Sequence, residues 1–588
     1  MRPLVERNLR NVKSVGFALV CLSVTLAQAS VKLGTNASAP FQYGVDSSGN
    51  SYVLANLTLN QGLSGLVITK LNSTGNAVYT ARLGTNPTAG PYSFTLDNSG
   101  NTYTVVQMQS LSGVTGLYVV KVNASGTTVY SVRLGTNPTT TPFFTNVDSS
   151  GNLTLIANYT PLTGSAGLFA TRLSAFGSTT YSLRLGSSPA GSPFGAAMDS
   201  TGNCTVVSNM TNTSGVAGLY ACKVSPTGKA TYTTKLGTSP GIAPFGNILD
   251  SSGNLFNVSS LTSNSGTTGL FLNRVSATGT LSFAKQVGTN ATAYPFGGTV
   301  DASGNTFLLN SYTPLSGSSG LWATKFDSSG NTKYATRLGS NAGASPFAST
   351  VDSALNNYVV SNMTNTSGLA GLYVTKLASS GTVAYSSRIG TSASAGPFDA
   401  HLDSSGNVYT LSNMLSNGNS GLWAYKLGAT GNTVYNTRLG YNAASAPYFD
   451  VYDTNNNLYA VVSMTSLTGA SGLYTLKMSN TGSTVFTTRL GLNPSAAPFS
   501  DYIDGYGNNF VMANMSGVNA PTGLYVARVN SSGTIVYNLR IGTSPISSLT
   551  KYILDASGNA LVTSSMTPVG GSPGLYVTKV DSTGKVIF

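Results

Sequence analysis

The chain has 588 residues, of which 41% are hydrophobic and only 8% are Asp, Glu, Lys or Arg, with a formal net charge of +13. Low charge with that apolar content excludes a disordered tail and a coiled coil, while length alone suggests several domains of about 100–150 residues. One His and three Cys leave little material for a metal cluster or a nucleophile–base pair.

The chain opens with Arg2, Arg7, Arg10 and Lys13, then an apolar run from Val15 to Leu26, then Ala27-Gln28-Ala29. A charged start, a short apolar stretch and an A-x-A site read as a secretory signal peptide over residues 1–29. A membrane anchor would need about 20 apolar residues, more than the run supplies. Cys21 lies inside this segment and is set aside with it. The expected product starts at Ser30 and is secreted or held at the cell surface. No later segment reaches transmembrane length.

From Ser30 onward one unit is written eleven times. Its marker is Leu-Gly, Val-Gly or Ile-Gly, with the glycine at 34, 84, 135, 186, 237, 288, 339, 390, 440, 491 and 542. The spacing is 50 or 51 residues throughout, and no linker interrupts it. In the second unit, strand a follows a Pro-aromatic pair and ends at Asp97. Strand b spans about Asn101–Gln107, strand c Gly116–Val122 and strand d Thr127–Leu134. Four short β-branched and aromatic runs between Gly/Ser/Asn turns predict an all-β fold, a β-propeller of four-stranded blades. Runs such as Val-Val-Ser-Asn-Met lack strict apolar–polar alternation, as expected of strands covered on both faces. Recurrent aromatics, Tyr118 and its equivalents on strand c and Tyr79 to Phe588 on strand d, are expected between blades.

The ordered motifs D-x-x-G-N-x-Y, G-L-Y-V-T-K and G-T-x-x-Y-S-x-R-L-G resemble the SBBP-type β-propeller repeat of secreted bacterial proteins. That family usually has Leu-Gly-Gly where this chain has Leu-Gly-Thr. The resemblance implies an extracellular propeller and no particular reaction.

The two ends complement each other. Lys585-Val-Ile-Phe588 set before Ser30-Val-Lys-Leu-Gly34 reproduces an intact strand d, Thr127 to Gly135. Either they meet in one molecule and close it, or they join successive molecules head to tail. Eleven blades exceed the usual 4–8. A single large ring is favoured, with two propellers or an open superhelix as alternatives.

Most charges occupy repeat positions. Eleven Asp residues, from Asp46 to Asp555, start the turn between strands a and b, where a carboxylate accepts turn N–H groups. A calcium loop would need several carboxylates per site, and each turn has one. Eleven bases, Lys70 to Lys579, lie on strand c at the same end as those acids. A second row precedes the Leu-Gly of strand d: Arg82, Arg133, Arg184, Arg337, Arg388, Arg438, Arg489 and Arg540, with lysines at Lys32 and Lys235 and a shifted Lys285. It has no acid row opposite. It reads either as an anion-binding rim for polysaccharide or another surface polyanion, or as arginine stems lying over aromatics and capped by loop carbonyls. The charge is spread too evenly for a nucleic-acid groove.

Two irregularities remain. Cys204 on strand b and Cys222 on strand c are expected opposite each other, as a disulfide. Asp399, Asp450 and Asp501 are additional acids on strand a of three successive units, with His401 beside the first. Strand a lines a propeller channel, so this is the one cluster that could hold a cation or act as acid and base. No cofactor is called for. The leading functional reading is a secreted binding or structural module. The alternatives are a head-to-tail extracellular fibre or sheath subunit and a polysaccharide-acting enzyme using the channel carboxylates.

Overall fold

The computed structural model describes residues 30–86, 93–138, 143–187, 195–238, 246–289, 295–341, 348–391, 397–441, 449–494, 500–543, 550–555 and 557–588. The signal peptide expected over residues 1–29 lies outside them.

Every described element is a β-strand, and all strand pairs are antiparallel. The second repeat shows the unit: strand a Ser93–Leu96, strand b Thr102–Ser110, strand c Thr115–Val122 and strand d Thr128–Pro138. They pair in the order a-b-c-d. Strands b and c are buried on both faces, which is why their apolar residues do not alternate strictly with polar ones. Strands a of consecutive repeats approach one another, which places them innermost and strand d outermost.

The core is divided among the seams between repeats. Leu54, Leu66 and Ile68 of the first repeat pack on Val106, Tyr118 and Val120 of the second. The same relation recurs at each later seam. A further cluster joins Leu561, Leu575, Val577 and Phe588 of the last repeat to Val53, Ala55 and Val67 of the first.

Residues from both ends build one strand d. Val31, Lys32 and Gly34 pair with Val577, Tyr576 and Leu575. In the second repeat, Val132, Arg133 and Gly135 pair with Val119, Tyr118 and Leu117. The other half comes from the opposite end, where Val586 bridges to Val580 and the Ile587 N–H donates to the Lys579 carbonyl.

The Leu-Gly marker has a packing cause. Gly135 runs against the neighbouring repeat, where a Cβ would lie 2.3 Å from the Thr160 carbonyl oxygen. Strand d can therefore reach the next b–c turn only with glycine there. A second glycine serves the strand d aromatics. Tyr79 lies under the c–d turn of the following repeat, and a Cβ on Gly126 would sit 2.4 Å from its ring. Phe588 lies in the same way under Gly75 of the first repeat.

The a–b turn normally places glycine in the left-handed region, as at Gly100 with φ 76°. The seventh repeat has Leu355 there, with φ 63°. A β-carbon in that region costs about 1–2 kcal/mol, part of which glycine returns through unfolded-chain entropy. Leu355→Gly is expected to raise stability by about 1 kcal/mol, read as a higher urea midpoint.

The expected disulfide is corrected by register. Cys204 pairs with Val224, and Cys222 pairs with Val206. The hairpin centre sits one residue later than the midpoint of the two cysteines, which makes them diagonal neighbours. Diagonal Cβ atoms lie about 7 Å apart, and a disulfide needs about 3.8 Å. Both are free thiols buried in the seam, and burial pushes each up to about 12. Thiol titration of denatured Ser30–Phe588 without reductant should find two reactive groups. A count of zero would restore the bond.

Candidate functional site

Antiparallel order puts a–b and c–d turns at one end of each repeat and b–c turns at the other. Contacts across the seams join like ends, so the repeats present two distinct faces.

The first face carries the turn aspartates. Asp46 Oδ1 accepts the Ser48 and Asn50 backbone N–H groups at 3.0 and 2.9 Å. Its Oδ2 accepts Asn50 Nδ2 at 2.8 Å and the Tyr52 hydroxyl at 3.0 Å. Burial pushes this carboxyl up, but these donors outweigh it and hold it below the usual range. The turn thus consumes the carboxylate. Among the described residues, no three His, Cys, Asp or Glu side chains gather where a metal could sit.

The strand c bases belong to the same face. Arg172 pairs with Asp148 at 2.6 Å, Lys223 with Asp199 at 3.2 Å and Lys579 with Asp555 at 2.9 Å. Others lie over a strand b ring, as Lys121 does at 4.9 Å from the Tyr103 centroid. Most also cross the seam: Lys121 Nζ donates to the Ala175 carbonyl at 3.0 Å, and Lys579 Nζ to Ser73 of the first repeat at 3.1 Å. This bridging role has no signature within one repeat, so sequence reading missed it.

The strand d bases lie toward the second face. Arg133 stands across from Tyr118 and donates to the Thr115 carbonyl at 2.7 Å. Arg82, Arg184, Arg337 and Arg540 cap the equivalent carbonyls of Ser64, Ala166, Ser319 and Thr522. Arg388, Arg438 and Arg489 do the same at Ala370, Ser420 and Ser471. None of these arginines forms an ion pair among the described residues. All but exposed Arg388 are half-buried. A cleft of about 640 Å³ runs between Arg82 and Arg133, walled by Leu111, Val114 and Tyr118.

The residues of the proposed acidic cluster go to different surroundings. His401 stacks on Tyr452 at 4.9 Å and 12°, and its Nε2 lies 3.0 Å from Asn456 Oδ1. It sits two residues before its turn aspartate, whereas Asp450 and Asp501 sit three before theirs. Adjacent strand positions face opposite ways, so His401 points away from that pair's row. The Asp501 carboxylate oxygens are buried, and burial drives its pKa well above the ordinary carboxylate value against a weaker opposing pull from the Tyr502 backbone N–H. Asp450 occupies the same repeat position one unit earlier. The side chain of Asp399 lies outside the described residues.

Four-stranded antiparallel units, stacked through shared cores with strand a innermost, define a β-propeller repeat protein. No family model matches the chain, and no curated protein matches it. Among solved structures it is similar to a eukaryotic initiation factor, at 9% identity and TM-score 0.37, covering 68% of this chain and 88% of that one. It is similar also to Sqt1 from Chaetomium thermophilum, at 8% identity and TM-score 0.30, covering 66% and 93%. A third is the β-propeller domain of the Trilobed protease from Pyrococcus furiosus, at 8% identity and TM-score 0.26, covering 58% and 94%. Strand pairing and seam packing define the architecture.

Proposed function

We propose that the chain is an exported β-propeller whose eleven blades close in a single ring, and that it is a binding and structural module for polyanions, with acidic polysaccharide the expected class. The observation that carries the binding role is the segregation of charge. The turn aspartates share their face with the strand c bases, while the strand d arginines stand at the other end without carboxylate partners among the described residues. Their guanidinium groups are held by loop carbonyls, which orients them without neutralising them. Export rests on the charged, apolar and A-x-A pattern of the first 29 residues. Closure rests on the seam joining last repeat to first and on the strand shared by residues 30–34 and 585–588.

Retention of Ser30–Phe588 on immobilised dextran sulfate or alginate tests the binding role. Retention should weaken with salt and fall when Arg82, Arg133 and Arg184 are replaced together by Gln. Retention indifferent to those replacements would overturn it. The ring predicts one mass at all concentrations, whereas head-to-tail assembly would grow with concentration.

A further inference from the structure

We propose that the face bearing the b–c turns docks on an anionic lipid membrane surface, aliphatic turn residues entering the headgroup layer and strand d arginines engaging the anionic headgroups. This rests on the polyanion reading and adds a lipid surface as a second anionic partner.

Nine of the eleven repeats place an exposed Leu or Val on the b–c turn, from Leu63, Leu111 and Leu162 round to Leu467 and Val569. Their exposures lie between 42% at Val114 and 59% at Leu111. Singly, an exposed leucine needs no explanation. Here the same turn of successive repeats carries one, and all point from the same end. A packing role would have buried them, as it buries Leu117 and Tyr118 a few residues on.

The charge at that end suits the same partner. The described acids lie elsewhere: the turn aspartates, Asp327 and Asp581 at the a–b and c–d end, Asp450 and Asp501 on strand a. The strand d bases form a layer just behind the aliphatic turns. The cleft between Arg82 and Arg133 has Leu111, Val114 and Tyr118 in its wall. That pairing fits an anionic group attached to hydrocarbon. A polysaccharide would gain nothing from the aliphatic turns. A membrane interface rewards apolar burial and basic charge together.

The test uses Ser30–Phe588, which holds every described element, with vesicles of phosphatidylglycerol and phosphatidylcholine against vesicles of phosphatidylcholine alone. Co-sedimentation should require the anionic lipid. Replacing Leu63, Leu162 and Leu467 together by Ser should weaken vesicle binding by at least about tenfold and leave dextran sulfate retention unchanged. An unchanged urea midpoint would confirm that these surface changes spare the fold. The Arg82→Gln, Arg133→Gln, Arg184→Gln variant should weaken both. Retention on dextran sulfate without vesicle binding would overturn the membrane proposal alone. So would a serine variant that binds vesicles like the parent, or equal binding to neutral vesicles. Failure on both supports would overturn the polyanion reading too.

Discussion

Phe588→Ala is expected to cost about 3–5 kcal/mol, and removal of residues 585–588 more than that. Phe588 is buried in the cluster that joins last repeat to first, and its ring lies under Gly75. Its loss opens a cavity that the rigid turn cannot collapse to fill. Deleting residues 585–588 also removes the bridge from Val586 to Val580 and exposes half of an edge strand. Phe588→Tyr should be tolerated, since Tyr130 fills the equivalent place in an intact repeat. The measurement is the urea midpoint of the three variants beside the parent. A deletion that unfolds like the parent would mean that residues 585–588 do not secure the seam.

Gly135→Val is expected to cost more than about 3 kcal/mol, or to leave the protein insoluble. A Cβ there would lie 2.3 Å from the Thr160 carbonyl and 2.6 Å from the Tyr159 ring. The carbonyl is backbone in the next repeat, so relief requires the two repeats to part. Gly113→Ala is the contrast. Gly113 has φ 85° but nothing within 4 Å of an added Cβ, so only conformational strain of about 1–2 kcal/mol applies. If both substitutions cost the same, close approach is not what the Leu-Gly motif serves.

The period, the four strands and the aspartate turn were all legible, because each depends on local pattern repeated many times. The turn residues Asp97, Gly100 and Asn101 fall where strand a must reverse into strand b. What depended on a single residue of register was not legible. Cys204 and Cys222 read as opposite because their midpoint falls within one residue of the hairpin centre. The turn closed by Asn212 and Val216 centres one residue later and sets Val206 against Cys222. Asp450 and Asp501 share a chain neighbourhood and a repeat position near that of His401, which spacing alone reads as one group. Alternation along strand a sends neighbours to opposite faces, and His401 went to the Tyr452 ring. Nor could one repeat announce that its lysine would hold the next repeat's turn. The aliphatic b–c turns were present in the sequence, yet exposure became visible only with the strands in place.

The strand built from both ends has a consequence for how the chain is written. Lys585 to Phe588 and Ser30 to Gly34 lie in line as one strand d, so a peptide bond from Phe588 to Ser30 would make the last repeat covalently ordinary. The point at which reading begins is then a choice independent of the fold. Circular permutants opened at an exposed turn, such as the one holding Gly113, would carry the same set of seams, with the interruption moved to a surface loop.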